Sequence, residues 1–179
     1  MPLPFALAGG ASLGFGRLLI GIAGMCLVSS AVYAMNDVVD AEVDRASSRK
    51  RTRPVASGRL SARWAGGAAL AWLAAGIALG WLSDRPGTLL IFSLYVAQNA
   101  VYSFGAKHVP LVDAFLLSTG FVLRVVLGCV LVGVAPSNWL LLCSSALALL
   151  LALGKRRGEL LQAPGESQRR ALDGYNRSY

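Results

Sequence analysis

The sequence predicts an all-α, polytopic transmembrane helix bundle, and three observations carry that prediction. Hydrophobic residues fill 55% of the 179 positions and charged ones only 15%, far from the balance of a soluble domain of this length. The apolar residues are gathered into five blocks, each close to the roughly 20 residues that a helix needs to cross a bilayer. None of the blocks alternates with a period of two, which excludes barrel strands.

The N-terminal "MPLPFALAGGASLG" lacks the basic region of a cleavable signal peptide, and its short apolar start reads as the tail of an earlier helix. The first span is Leu18 to Met35, and it ends directly in "NDVVDAEVDRASSRKRTRP", Asn36 to Pro54. The second span, Ala65 to Leu82, contains "GGAALAWLAAGIALG", whose small residues favour close helix packing in lipid. Thr88 to Phe104, Val109 to Val134 and Trp139 to Leu153 complete the five. After the last of them the chain turns polar and stops at "LDGYNRSY", as if before another span. Residues 1–179 thus read as a single transmembrane helical domain, incomplete at both ends. A cytoplasmic loop over 37–62, rich in Asp and basic residues, and a cytoplasmic basic tail over 155–179 flank the membrane.

Charge gives the orientation. Seven cations from Arg45 to Arg63 lie in the first connection, Lys107 lies in the third, and Lys155, Arg156, Arg157, Arg169, Arg170 and Arg177 lie in the tail. These make 14 of the 17 cations, all on one side, which the positive-inside rule assigns to the cytoplasm. The net charge of +8 therefore reports topology first. A basic surface there would attract anionic membrane lipid or phosphorylated substrates, and nucleic acid is excluded as a partner for want of a soluble domain to carry it. Cys26, Cys129 and Cys143 fall in apolar blocks without metal-site or redox spacing and read as packing residues.

The stretch after the first span sets four carboxylates in eight residues against five cations in nine. If the helix continues past Met35, then Asp37, Asp40 and Asp44 share one stripe, with Asn36 alongside and Glu42 pointing elsewhere. Stacked like charges weaken a helix unless a cation bridges them. Hard oxygen ligands at this spacing suit Mg²⁺ shared with substrate phosphates. The bland alternative is a solvated charge run whose acids pair with the neighbouring cations. Against it stand the position of Asp37 at the end of a span and the phosphate-suited donors of "RKRTRP".

"NDVVDAEVD" resembles the NDxxDxxxD signature of the UbiA superfamily of intramembrane prenyltransferases, and "YSFGAKHVPLVDAFLLSTGFVLRVVLGCV" is similar to that superfamily's Tyr, Lys, Asp and Arg pattern, at Tyr102, Lys107, Asp113 and Arg124. Within the superfamily, "DRASSRKRTRP" is similar to the DRxHPxKRxRP continuation of its phosphoribosyltransferase branch, with Ser47 and Ser48 in place of His-Pro. "GKRRGEL", Gly154 to Leu160, is similar to that branch's GKRxxEL, where ordinary prenyltransferases carry a second aspartate motif. The resemblance implies a partial nine-helix bundle in the inner (cytoplasmic) membrane with its active site facing the cytoplasm. It implies transfer of 5-phosphoribosyl from phosphoribosyl diphosphate to a polyprenyl phosphate, feeding arabinose-containing cell-envelope polymers. The expected site has Asp37, Asp40 and Asp44 as catalytic Mg²⁺ ligands. Asn36, Lys50, Arg51, Arg53, Tyr102, Lys107, Arg124, Lys155, Arg156 and Glu159 would bind substrate. A prenyltransferase with an aromatic acceptor, or a noncatalytic membrane fragment, are the alternatives.

The residues themselves leave some roles open. Arg124, near the middle of a span, serves either to neutralise phosphate or to link helices, and Asp113 lies about three turns earlier on its face. Tyr102 is an interfacial anchor or a substrate hydrogen-bond donor. His108 has no visible partner for catalysis and reads as a loop residue. Lys155 and Arg156 sit where helix C-termini attract cations anyway, while Glu159, four residues after Lys155, would add a carboxylate suited to ribose hydroxyls.

Overall fold

The computed structural model describes residues 15–47, 50–106, 109 and 111–162, the last four of them as backbone. Six helices make up the described residues: α1 (Phe15–Val39), α2 (Ala41–Ala46), α3 (Ala62–Leu82), α4 (Pro86–Phe104), α5 (Val112–Val132) and α6 (Asn138–Gln162). Among the described residues α1, α3, α5 and α6 are long and apolar enough to cross a membrane. The remaining expected span, α4, is 19 residues long, and Gln98 and Asn99 lower its apolar character. The GKRRGEL segment, read from sequence as following the last span, is a continuation of α6. The chain forms two compact units that divide within α4, Phe15–Phe92 and the residues from Ser93 onward.

In the first unit α1 packs on α3, and the crossing is set by glycine. A Cβ added to Gly76 would lie 2.7 Å from Val28 Cγ2 and 2.9 Å from the Gly24 carbonyl oxygen, so the two backbones touch where no side chain intervenes. Lipid provides no hydrophobic drive between helices, and close approach of this kind supplies the dispersion contact that replaces it. Gly80 likewise leaves room for the Phe92 ring, which a Cβ would meet at 2.9 Å. Both ends of α3 are closed by side chains. The Ser61 hydroxyl accepts from the Trp64 amide at 3.3 Å, and the buried Ser83 hydroxyl donates to the Gly80 carbonyl at 2.6 Å. Pro86 then starts α4 at the position where a missing N–H costs nothing.

In the second unit α5 ends at Gly133, whose φ of 76° is open to glycine without strain. The Gly133 amide bonds to the Val130 carbonyl and that of Val134 to the Cys129 carbonyl, the paired reversal that satisfies a helix's last oxygens. Ser137 caps α6 by accepting from the Leu140 amide at 3.1 Å. Hydroxyls inside the spans turn back on their own helices: Ser118 and Thr119 donate to the Phe115 carbonyl and Ser144 to that of Leu140. Apolar surroundings demand this, because lipid offers no partner. Large apolar side chains face outward, and Trp64, Trp81 and Trp139 lie exposed near helix ends, as interfacial anchors do.

Candidate active site

The charged stretch after α1 folds back on itself. The helix breaks at Asp40, whose φ of −89° and ψ of 1° leave the α region. Hydrogen bonds from the Asp40 amide to the Asn36 carbonyl and from the Asp44 amide to the Asp40 carbonyl nevertheless carry the helical path across the break. Asp37 and Asp44 therefore stay on one side, as the spacing requires. Glu42 is exposed. Arg53 lies between the two aspartates: its Nη1 is 3.0 Å from Asp37 Oδ1 and 2.9 Å from Asp44 Oδ2. The Lys50 ammonium stands 3.9 Å from Asp44 Oδ1.

Burial separates these groups. The Asp44 side chain is only 3% exposed, whereas those of Asp37 and Arg53 are 30% and 39% exposed. Asp44 is the inner anchor and Asp37 the outer, solvent-open one. Turns at 50–58 bring Arg53 round, and buried Val55 and Ala56 hold the loop down. Val55 packs in a small core with Ala41 and Ala65. Arg45 fixes the same turn by donating to the Ala56 carbonyl at 3.2 Å. Arg59 donates to the Thr52 carbonyl at 2.6 Å, which leaves Arg51 and Arg59 on the exposed rim. Among the described residues no three carboxylate, histidine or cysteine side chains gather into a group that could hold a metal, and a guanidinium stands between Asp37 and Asp44.

The second unit holds two polar clusters. Arg156, 1% exposed, pairs with Asp113, 0% exposed, and donates through Nη2 to the Tyr102 hydroxyl at 3.2 Å. Asp113 Oδ1 also accepts from the Ala114 amide at 2.8 Å. One turn of each of α4, α5 and α6 is thus joined. Lys155, the neighbour of Arg156, is exposed. Arg124 belongs to the other cluster. It donates to the Tyr95 hydroxyl at 2.6 Å and lies 4.8 Å from the centre of that ring, so it links α5 to α4. Lys107, His108 and the Glu159 side chain lie outside the described residues.

Sequence reasoning missed Tyr95 and Gln98. Polar side chains in the middle of a span were the available signal, and Gly120 was a second: a Cβ there would lie 2.7 Å from Gln98 Nε2. Cys129 is buried and Cys26 and Cys143 are exposed on the helices, all as free thiols.

The sequence profile of the UbiA prenyltransferase family matches residues 2–155. The chain belongs to that family. UbiA membership accounts for the all-helical membrane bundle and places the acidic stretch, the Arg53 bridge and Arg124 within the matched segment. Among curated relatives, the decaprenyl-phosphate phosphoribosyltransferase of Corynebacterium glutamicum is 38% identical over 86% of this chain and 47% of its own length. Its namesake from Mycolicibacterium smegmatis is 33% identical over 86% of this chain and 49% of its own. The 4-hydroxybenzoate octaprenyltransferase of Cupriavidus necator is 29% identical over 78% of this chain and 49% of its own. The chain spans about half the length of these relatives.

Proposed function

We propose that this chain carries the phosphate-handling part of a membrane enzyme that transfers 5-phosphoribosyl from phosphoribosyl diphosphate to a polyprenyl phosphate, releasing diphosphate. The similarity to the Corynebacterium glutamicum phosphoribosyltransferase, 38% over a segment that includes every described candidate residue up to Arg124, is the observation that carries this reading. The cation-rich side would face the cytoplasm, where the charged donor is soluble, and the acceptor's chain would lie in lipid.

The chemistry of the residues suits that reaction. Asp37 and Asp40 offer hard, partly solvent-open carboxylate oxygens, a donor set that fits Mg²⁺ completed by water and substrate phosphate, and Asp44 lies behind them. Bound there, Mg²⁺ would neutralise charge on the departing diphosphate. Asp44, buried, holds Arg53 and Lys50. Those two cations, with the exposed Arg51, would grip phosphate oxygens through directed donors, and Asn36 would add an amide. Positive charge growing at the ribose C1 would be met by nearby carboxylates. The acceptor phosphate is already an anion, so attack on C1 needs no strong general base. Lys107, Lys155 and Glu159 are expected substrate-binding residues of the second unit, and Arg124 would support that unit's helices from within.

The likeness to the octaprenyltransferase favours a second reading, prenyl transfer to an aromatic acceptor. GKRRGEL at the end of α6, in place of a second aspartate motif, favours the first. Labelled donors decide between them: label from phosphoribosyl diphosphate should enter the lipid fraction, and label from a prenyl diphosphate should not enter an aromatic product.

A further inference from the structure

The connection between α3 and α4, Ser83 to Arg85, lies at the end of the first unit away from the acidic stretch. The 21 residues of α3 rise about 30 Å, the thickness of a bilayer's hydrocarbon core, so this end meets the opposite leaflet. By the charge pattern 14 of the 17 cations belong on the acidic side, and topology calls for none here. Two are present all the same. Arg17, at the start of α1, is 3.0 Å from Asp84 Oδ2, and both side chains of that pair are exposed. Arg85 has no such answer. Among the described residues no side chain pairs with it or accepts from it, and its Nε is buried without a hydrogen-bond partner. The neighbouring hydroxyls are already engaged: Ser83 donates to the Gly80 carbonyl and lies 3.1 Å from Thr88 Oγ1, both residues being fully buried.

An arginine that only snorkels keeps its charged head in water. Arg85 is instead half-buried with one nitrogen shut off from solvent, and an enclosed donor without a partner calls for an explanation. The terminal nitrogens remain as a planar pair of donors carrying a full charge, a match for two oxygens of one phosphate. Close by in sequence, Trp81, Leu82 and Leu90 expose large apolar side chains that suit acyl chains and an interfacial ring. Two cations against the single Asp84 carboxylate leave one positive charge, which a phosphodiester would neutralise. We propose that Arg85 binds the phosphate of an anionic phospholipid in the leaflet opposite the acidic stretch. Arg17 assists by holding the Asp84 carboxylate, which would otherwise repel that phosphate.

The test uses the full-length protein in a neutral detergent, titrated with phosphatidylglycerol or with phosphatidylcholine of the same chains, and bound lipids are counted by native mass spectrometry. Arg85→Gln should retain one phosphatidylglycerol fewer at limiting lipid, with affinity for that lipid lowered about fivefold, the share of one arginine at an anionic membrane surface. Phosphatidylcholine binding should change less, because its choline offsets the phosphate charge. Without lipid the unfolding midpoints of variant and wild type should agree, since the side chain has no partner on its own unit to lose. Equal phosphatidylglycerol binding by the two proteins overturns the proposal, and so does an equal loss with phosphatidylcholine. A lower midpoint without lipid reveals a partner within the protein and overturns it too. Displacement of the lipid by inorganic phosphate at constant ionic strength would make this a site for a dissolved anion, which is again contrary. Should Arg85→Gln fail to accumulate, Arg85→Lys serves instead: it keeps the charge but offers no planar pair of donors, so phosphatidylglycerol affinity should still fall, and unchanged affinity overturns the proposal.

Discussion

Asp44→Asn and Asp37→Asn should have opposite rankings for stability and for turnover. Both carboxylates accept from the same Arg53 nitrogen, at 2.9 and 3.0 Å, but the Asp44 side chain is 3% exposed and that of Asp37 is 30%. A hydrogen bond to a charged group contributes about 1.5–3 kcal/mol and a neutral one about 0.5–1.5. Replacing the buried carboxylate by an amide therefore loses roughly 1–1.5 kcal/mol, plus a few tenths for Lys50 at 3.9 Å. Arg53 can turn toward water, which keeps the loss from reaching the several kcal/mol of a fully stranded charge. Asp37 meets solvent, and partly screened pairs are worth about 0.2–1 kcal/mol, so Asp37→Asn should cost near 0.5. The gap of about 1 kcal/mol is roughly a fivefold difference in the unfolding equilibrium. Graded unfolding of the detergent-solubilised variants by a denaturing detergent would measure it. Turnover should fall further in Asp37→Asn, because the outer carboxylate is the one that the proposed Mg²⁺ and diphosphate would reach. Equal destabilisation by the two variants, or an Asp44→Asn protein as stable as wild type, would refute the division into inner anchor and outer ligand.

The helix crossing and the intramembrane arginine give further tests. Gly76→Ala should destabilise by about 1–3 kcal/mol, since the new methyl meets the Gly24 carbonyl, a backbone atom that cannot rotate aside, while Gly66→Ala, with nothing within 4 Å, should be neutral; unfolding midpoints compare them. Arg124→Lys and Tyr95→Phe should each cost about 1 kcal/mol and should not add when combined, as one shared contact predicts; additive losses in a double-mutant cycle would show that the two residues act apart.

The spans were legible because a bilayer imposes length and apolarity on a contiguous segment, and α3 and α5 begin and end close to the expected residues. The course of α6 was less so. Cations at 155–157 look like the end of a span, yet a helix can run on into water when its backbone bonds are internal. The acidic stripe was readable from its period as far as Asp37 and Asp44. Its counter-ion was not: Arg53 is one of several neighbouring cations, and only the turns at 50–58 select it. Arg156 and Asp113 lie on different helices, and helical spacing gives no partner across a helix pair, so their contact was not legible. For Arg124 the sequence left two roles open, and its contact with Tyr95 favours the link between helices.

Transfer from labelled phosphoribosyl diphosphate into membrane lipid, measured on the full-length protein with and without Mg²⁺, bears most directly on the proposed function. The account predicts labelled lipid that disappears on chelation and is lost in Asp37→Asn at unchanged protein abundance. Lipid labelling indifferent to chelation, or product formed only from a prenyl diphosphate, would contradict it.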